Sequence, residues 1–155
     1  MTDRLKASPV LGFSDVETVK LDFDETPFCS VRYWASRAMR RFKLEGFIVL
    51  KSSKKSYHVV FNRKVSWSDN LRVVAWIALL SHSPELQRYC LMQCIKKSST
   101  LRVSRKREKP SPRIVFRSGK QEKQVKEFMK TRRIIKKIVK ISRNMAVFAC
   151  FGHCF

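Results

Sequence analysis

The sequence predicts an α+β domain built on one mixed or antiparallel sheet. Three observations predict it. Residues 17–62 read as strand, helix, strand, strand. The last two of those strands are joined only through Ser52-Ser53-Lys54-Lys55, too short for a parallel crossover, so they form a hairpin. The remaining apolar runs then divide into helical and strand periods in the same chain, the mark of strands and helices sharing one core.

Taken in order, residues 1–16 mix polar residues with Pro9 and Gly12 and form a leader able to add an edge strand. From Glu17, Val19, Leu21 and Phe23 alternate with Lys20, Asp22 and Asp24, so a strand turns its apolar set to the core and both aspartates to the other face. Thr26-Pro27 reads as N-cap and first-turn proline. The helix FCSVRYWASRAMRRFKL lines up Val31, Trp34, Ala35, Ala38 and Phe42, with Arg32, Arg37, Arg40 and Arg41 largely off that stripe. GFIVLKSS is a strand covered on both faces. In SYHVVFN, Tyr57, Val59 and Phe61 share one face and Ser56, His58 and Val60 the other. SWSDNLRVVAWIALLS predicts a buried helix, and Ser83-Pro84 opens another, PELQRYCLMQCIKK. STLRVSRKR and PRIVFRSG are strands split by the turn-prone EKPSP, and a basic amphipathic helix covers roughly 120–141. The closing MAVFACFGHCF is apolar and too short to span a bilayer. The organisation is thus a leader (1–16), an α+β core (17–119), and a basic helix with an apolar tail (120–155).

Charge narrows the function. Thirty-four Lys and Arg against twelve Asp and Glu give +22, which calls for a polyanionic partner: nucleic acid first, and an anionic membrane surface second. The distribution is uneven, because half of the acids lie at or before Glu25, while Lys96 to Arg143 holds 19 basic residues against Glu108, Glu122 and Glu127. That predicts an acidic functional end and a basic gripping end. MTDRLKASPV lacks the apolar stretch of a secretory signal and no run approaches the ~18 residues of a transmembrane helix, so an intracellular, cytoplasmic protein is expected. Five cysteines without framework spacing fit a reducing compartment. Cys90 with Cys94, and Cys150 with His153 and Cys154, read as buried structural thiols rather than zinc ligands.

Two carboxylates at i and i+2 of one strand project together and can reach one Mg²⁺ or Mn²⁺, or a pair, as nucleotidyl transfer requires. The plainer reading of Asp22 and Asp24 is exposed strand charge favoured by the dipole of the next helix. Ser56 and His58, pointing one way from a strand that pairs with its predecessor, offer a hydroxyl and an imidazole to phosphate oxygens, with Lys51, Lys54 and Lys55 beside them.

VKLDFDE, a helix, then GFIVLKSSKKSYHVVF resembles the catalytic core of the archaeo-eukaryotic primase superfamily, the primase-polymerases. The resemblance covers Glu17 to about Asn62 and implies an RRM-like core. It further implies that Asp22 and Asp24 bind the catalytic metals and that Ser56 and His58 contact the triphosphate of an incoming nucleotide. The family's third motif is an acid on a later strand. Here Glu108 falls in a turn, and Asp69 and Glu85 begin helices, so a minimal enzyme, a degenerate binding form and a subunit completed by a partner protein all stay open. Arg102, Arg105, Lys106, Arg107, Lys109, Arg113 and Arg117 lie on or between the two later strands, where they can follow a phosphate backbone. Tyr57, Trp67 and Phe116 are candidate base-stacking rings, Phe116 being the one expected in the core.

The expected function is therefore a nucleic-acid-binding replication protein resembling a metal-dependent DNA primase/polymerase, a nucleotidyltransferase. The alternatives are a noncatalytic DNA- or RNA-binding module of the same fold and a basic membrane-surface or assembly protein acting through the terminal helix.

Overall fold

A computed structural model of the chain describes residues 10–151, with side chains to residue 142. Its elements are β1 (Gly12–Asp15), β2 (Thr18–Phe23), α1 (Phe28–Arg41), β3 (Gly46–Ser53), β4 (Ser56–Lys64), α2 (Trp67–Leu80), α3 (Pro84–Lys96), β5 (Ser99–Arg102), β6 (Arg113–Gly119) and α4 (Gln124–Phe151). The four helices accompany two antiparallel sheets, one ordered β2-β4-β3-β6 and the other the pair β1-β5. Because β2 and β3 both run antiparallel to β4, they are parallel to each other with α1 crossing between them, a split βαβ unit with β4 inserted.

The period of two in these strands builds two cores. Leu21, Phe23, Phe47, Val49, Val59 and Phe61 face α1 and α2, meeting Val31, Ala35, Val73 and Ile77. Ile48, Leu50 and Val60 face the other way onto Leu101, Val103 and, from α4, Val125 and Phe128. The both-faces burial read from GFIVLKSS is thus the alternation of one strand between two cores. The terminal helix is part of the second core. Asn62, fully buried on β4, accepts hydrogen bonds through Oδ1 from the backbone N–H groups of Lys123 and Val125, meeting orphan donors at the start of α4.

Several expectations change. The leader strand pairs with β5 rather than with the main sheet, and this pair lies over the second face of β2. Lys20, on the strand face opposite the apolar set, is therefore fully buried. Its Nζ donates to Asp15 Oδ1 (2.9 Å) and Ser99 O (3.0 Å), and lies 4.6 Å from the centre of the Phe13 ring. Burial pulls its pKa down to about 8, against the opposing pull of Asp15. Pro27 is itself the N-cap of α1, in extended conformation, while Thr26 Oγ1 donates to Asp24 O. The helix α2 is buried on one side only, with Leu79 and Leu80 exposed at its end. Cys29 and Cys94 are exposed and so are not core thiols, whereas Cys90 is half-buried and packs against the first core; Cys150 and Cys154 lie outside the described side chains. Gly46 is required where β3 starts against the β6–α4 connection: a Cβ there would stand 2.1 Å from Lys120 O.

Candidate functional site

Asp22 and Asp24 lie at the end of β2, where they line an open cleft of about 390 Å³ with α3 and β5. Their strand register follows from the pairing Leu21↔Val59, Asp22↔His58, Phe23↔Tyr57. Cross-strand partners share a face, so Asp22 and His58 are neighbours, with His58 Nε2 3.5 Å from Asp22 Oδ1. His58 is buried beneath the aspartate instead of across a cleft from it. Burial, with Arg102 next in weight, pushes its pKa down to about 3, so the imidazole is neutral and gives Asp22 no full counter-charge.

The Asp22 carboxyl is correspondingly uneasy. Burial first and the Asp24 carboxylate second raise its pKa to about 7, against the opposite pull of Arg102 and Lys109. Its Oδ1 is buried without a hydrogen-bond partner among the described residues, as is His58 Nδ1. An orphaned carboxylate oxygen beside a second carboxylate is the donor chemistry a hard divalent cation satisfies, and Mg²⁺ characteristically takes one or two carboxylates with substrate phosphates completing its shell. The two aspartates fit that mode. Among the described residues no group of three or more His, Cys, Asp or Glu side chains is placed to hold a metal by itself.

The facing wall is cationic and rigid, and sequence reasoning missed most of it. Glu85, Arg88, Met92 and Lys96 of α3 reach the cleft from one stripe of the helix. Glu85 is engaged by Arg88 (3.2 Å) and by the Ser83 hydroxyl. Tyr89 and Gln93 tie α3 to β5: the Tyr89 hydroxyl donates to Thr100 O, and Gln93 Oε1 accepts from Thr100 N. The spacing 85, 88, 96 was a readable signal, since it places three charged residues on one helical line. What no local pattern shows is that this line turns toward β2.

Arg102 belongs to this cleft more than to an open nucleic-acid surface. Its guanidinium donates to Ser104 O, Pro110 O and Ser52 O, stapling β5 and the following loop onto the end of β3. Lys109 is set by a tight turn in which Lys106 and Lys109 exchange backbone hydrogen bonds. Arg105 bonds the carbonyl of Arg107 through Nε.

The other candidates scatter. Ser56 is buried, as is His58, because β5 and its loop pass over this face, so neither lines the cleft. Lys51 pairs with Tyr57 and shares the α1 side of the sheet, opposite His58, which corrects its placement beside the imidazole. Lys54 and Lys55 are exposed in the hairpin turn, whose Lys55 O accepts from Thr26 N and so holds the turn against the β2–α1 connection. Arg113 pairs with Lys51 and Arg117 with Ile48, and the bulge between them puts these two arginines on opposite faces, so they do not form one stripe. Tyr57 and Phe116 pack on Phe28 in the first core, and Trp67 is half-buried at the start of α2.

Compared with protein-family models, curated proteins and solved structures, the chain matches none. Any functional conclusion therefore rests on the cleft.

Proposed function

We propose that this chain is a nucleic-acid-binding replication protein with a metal-dependent nucleotidyltransferase centre of the primase-polymerase kind. One observation carries the reading: two carboxylates from a single strand, one with an orphaned buried oxygen, face an arginine- and lysine-bearing wall across an open cleft. A carboxylate pair in a chain of +22 is otherwise out of place. A divalent cation, Mg²⁺ or Mn²⁺, supplies neutralisation of triphosphate charge and activation of the attacking oxygen.

In this reading Asp22 and Asp24 are the protein ligands and His58 is a positioning residue that limits the Asp22 side chain from below. Arg88, Lys96 and Arg102 meet the phosphates of a nucleotide triphosphate from the opposite wall, a role the sequence had suggested for Ser56 and the hairpin lysines. Arg102 is suited to it because its carbonyl bonds hold it still, so little order is lost on binding. Arg105, Lys106, Arg107 and Lys109 flank the site as contacts for the nucleic-acid backbone.

The test is incorporation of labelled nucleotides on single-stranded and primed templates with Mg²⁺ or Mn²⁺, beside Asp22→Asn/Asp24→Asn. Metal-dependent product from the unmodified chain alone supports the reading. The second reading, a noncatalytic nucleic-acid-binding module, is favoured by the engagement of Glu85 with Arg88, which leaves the cleft two free carboxylates rather than three. It predicts no product and equal nucleic-acid affinity for both proteins. Product that appears only on adding a second protein would instead identify the chain as a subunit whose partner completes the centre.

A further inference from the structure

The terminal helix carries a second apolar face that, among the described residues, packs on nothing. One stripe of α4, with Val125, Phe128, Met129, Ile135 and Val139, packs toward the sheet or is buried. A helix held by its core contacts needs only that stripe. Yet Ile134, Ile138 and Ile141 follow one another at i, i+4 and i+7 on the outer side and are 50 %, 51 % and 59 % exposed. Beside them, along the same side of the helix, run Lys130, Arg133, Lys137 and Lys140, all exposed. Among the described residues none of these four has an acidic partner within ion-pair distance. Glu127 closes the line at its N-terminal end.

We propose that this face of α4 lies on an anionic lipid surface. Charge complementarity selects the occupant. A second copy of the chain would bring two cationic ridges together. A bare phosphate backbone would satisfy the lysines but gives three adjacent isoleucines nothing to enter. A lipid interface offers both chemistries at once, acyl chains for the isoleucines and anionic headgroups for the ridge, the arrangement of an in-plane interfacial helix. It lies on the surface and does not cross: among the described residues no helix is long and apolar enough to span a membrane. The inference is independent of the nucleotidyltransferase reading, because none of these residues lines the cleft.

The experiment is co-sedimentation of the full chain with phosphatidylcholine vesicles, with and without phosphatidylglycerol, beside Ile134→Ser/Ile138→Ser/Ile141→Ser and, separately, Lys137→Glu/Lys140→Glu. Melting temperature, gel-filtration size and nucleic-acid affinity are measured on each protein. The expected result is binding to the anionic vesicles only, falling roughly tenfold or more in either variant while the melting temperature is kept. Raised salt should weaken the binding without abolishing it, since the isoleucine contact is not screened. The second variant keeps the isoleucines and decides the matter should the first fail to fold. Absence of vesicle binding, or binding unchanged by the serine substitutions, overturns the proposal. So does a serine variant that instead loses nucleic-acid affinity or turns a dimer into a monomer, because another occupant then covers this face.

Discussion

Asp22→Asn should stabilise the fold above pH 7 and leave it unaltered below the ordinary carboxyl pKa of 3.8. The reasoning starts from the direction of the shift. A carboxyl whose pKa stands at about 7 in the folded chain and 3.8 in the unfolded one binds more protons when folded throughout that interval. Stability therefore falls as pH rises across the interval, and the full penalty is present above it. Asparagine keeps the shape and carries no charge, so the penalty and the slope disappear together. A displacement from 3.8 to about 7 corresponds to about 4 kcal/mol as a ceiling. The side chain is 32 % exposed, and water reaching it screens both the burial and the repulsion by Asp24, so about 2 kcal/mol is the expected gain. Urea denaturation of both proteins at a series of pH values reads it directly. Mn²⁺ adds a second arm: at a hundredfold excess over its dissociation constant it should return about 2.7 kcal/mol to the unmodified chain and nothing to the asparagine variant. An asparagine variant less stable than its parent at pH 8, or a difference that does not shrink with falling pH, would refute the argument that Asp22 is held at a cost for the sake of a cation.

Other parts of the structure give sharp expectations. Asn62→Ala removes the acceptor for two backbone N–H groups at the start of α4 and should cost about 2 kcal/mol by urea denaturation, with amide exchange rising first at Lys123 and Val125. Gly46→Ala drives a methyl group into Lys120 O and should cost about 3 kcal/mol, measured the same way, because the obstacle is backbone that cannot turn aside. Arg102→Met frees three carbonyls and should cost about 2 kcal/mol while weakening binding of a fluorescent nucleotide triphosphate, whereas Arg40→Met, at an exposed position of α1, should do neither. Nucleic-acid affinity should fall steeply with salt, and Lys106→Glu should lower the logarithmic slope by about one or more, as read from titrations at several salt concentrations.

The parts of this molecule that follow a local period were legible before any coordinates. Leu21 and Phe23 against Asp22 and Asp24, or Val59 and Phe61 against His58, are assigned to faces by alternation alone; that Asp22 and His58 are neighbours comes from the long-range pairing of β2 with β4, which no local pattern announces. What escaped was set by a long-range decision: where the second pair of strands goes. STLR has the same look as any short strand, and nothing in it says that it pairs with Gly12–Asp15 rather than joining the main sheet. Once it does, Lys20 is sealed, Ser56 and His58 are covered, and α3 is carried round to face β2. The bulge in the β3–β6 pairing is a second such decision, since one extra residue on β6 is enough to separate Arg113 from Arg117.

The covering of that face also bears on how the cleft can work. An aspartate on an open strand in water would titrate near its ordinary value and bind a lone divalent cation weakly, in competition with solvent. Laying β5 across the sheet excludes water from Oδ1, and this burial, with Asp24 beside it, raises the energy of the charged carboxylate. Arg102, held in place by its carbonyl bonds, offsets only part of that cost. The strain in Asp22 and the staple formed by Arg102 are thus two consequences of one packing event, and under the proposed function a cation held by Asp22 and Asp24 would relieve the first while the second would stand ready for phosphate. If the arrangement served structure alone, asparagine at position 22 would serve it better, which is why the stability of Asp22→Asn and its loss of cation response belong in the same experiment.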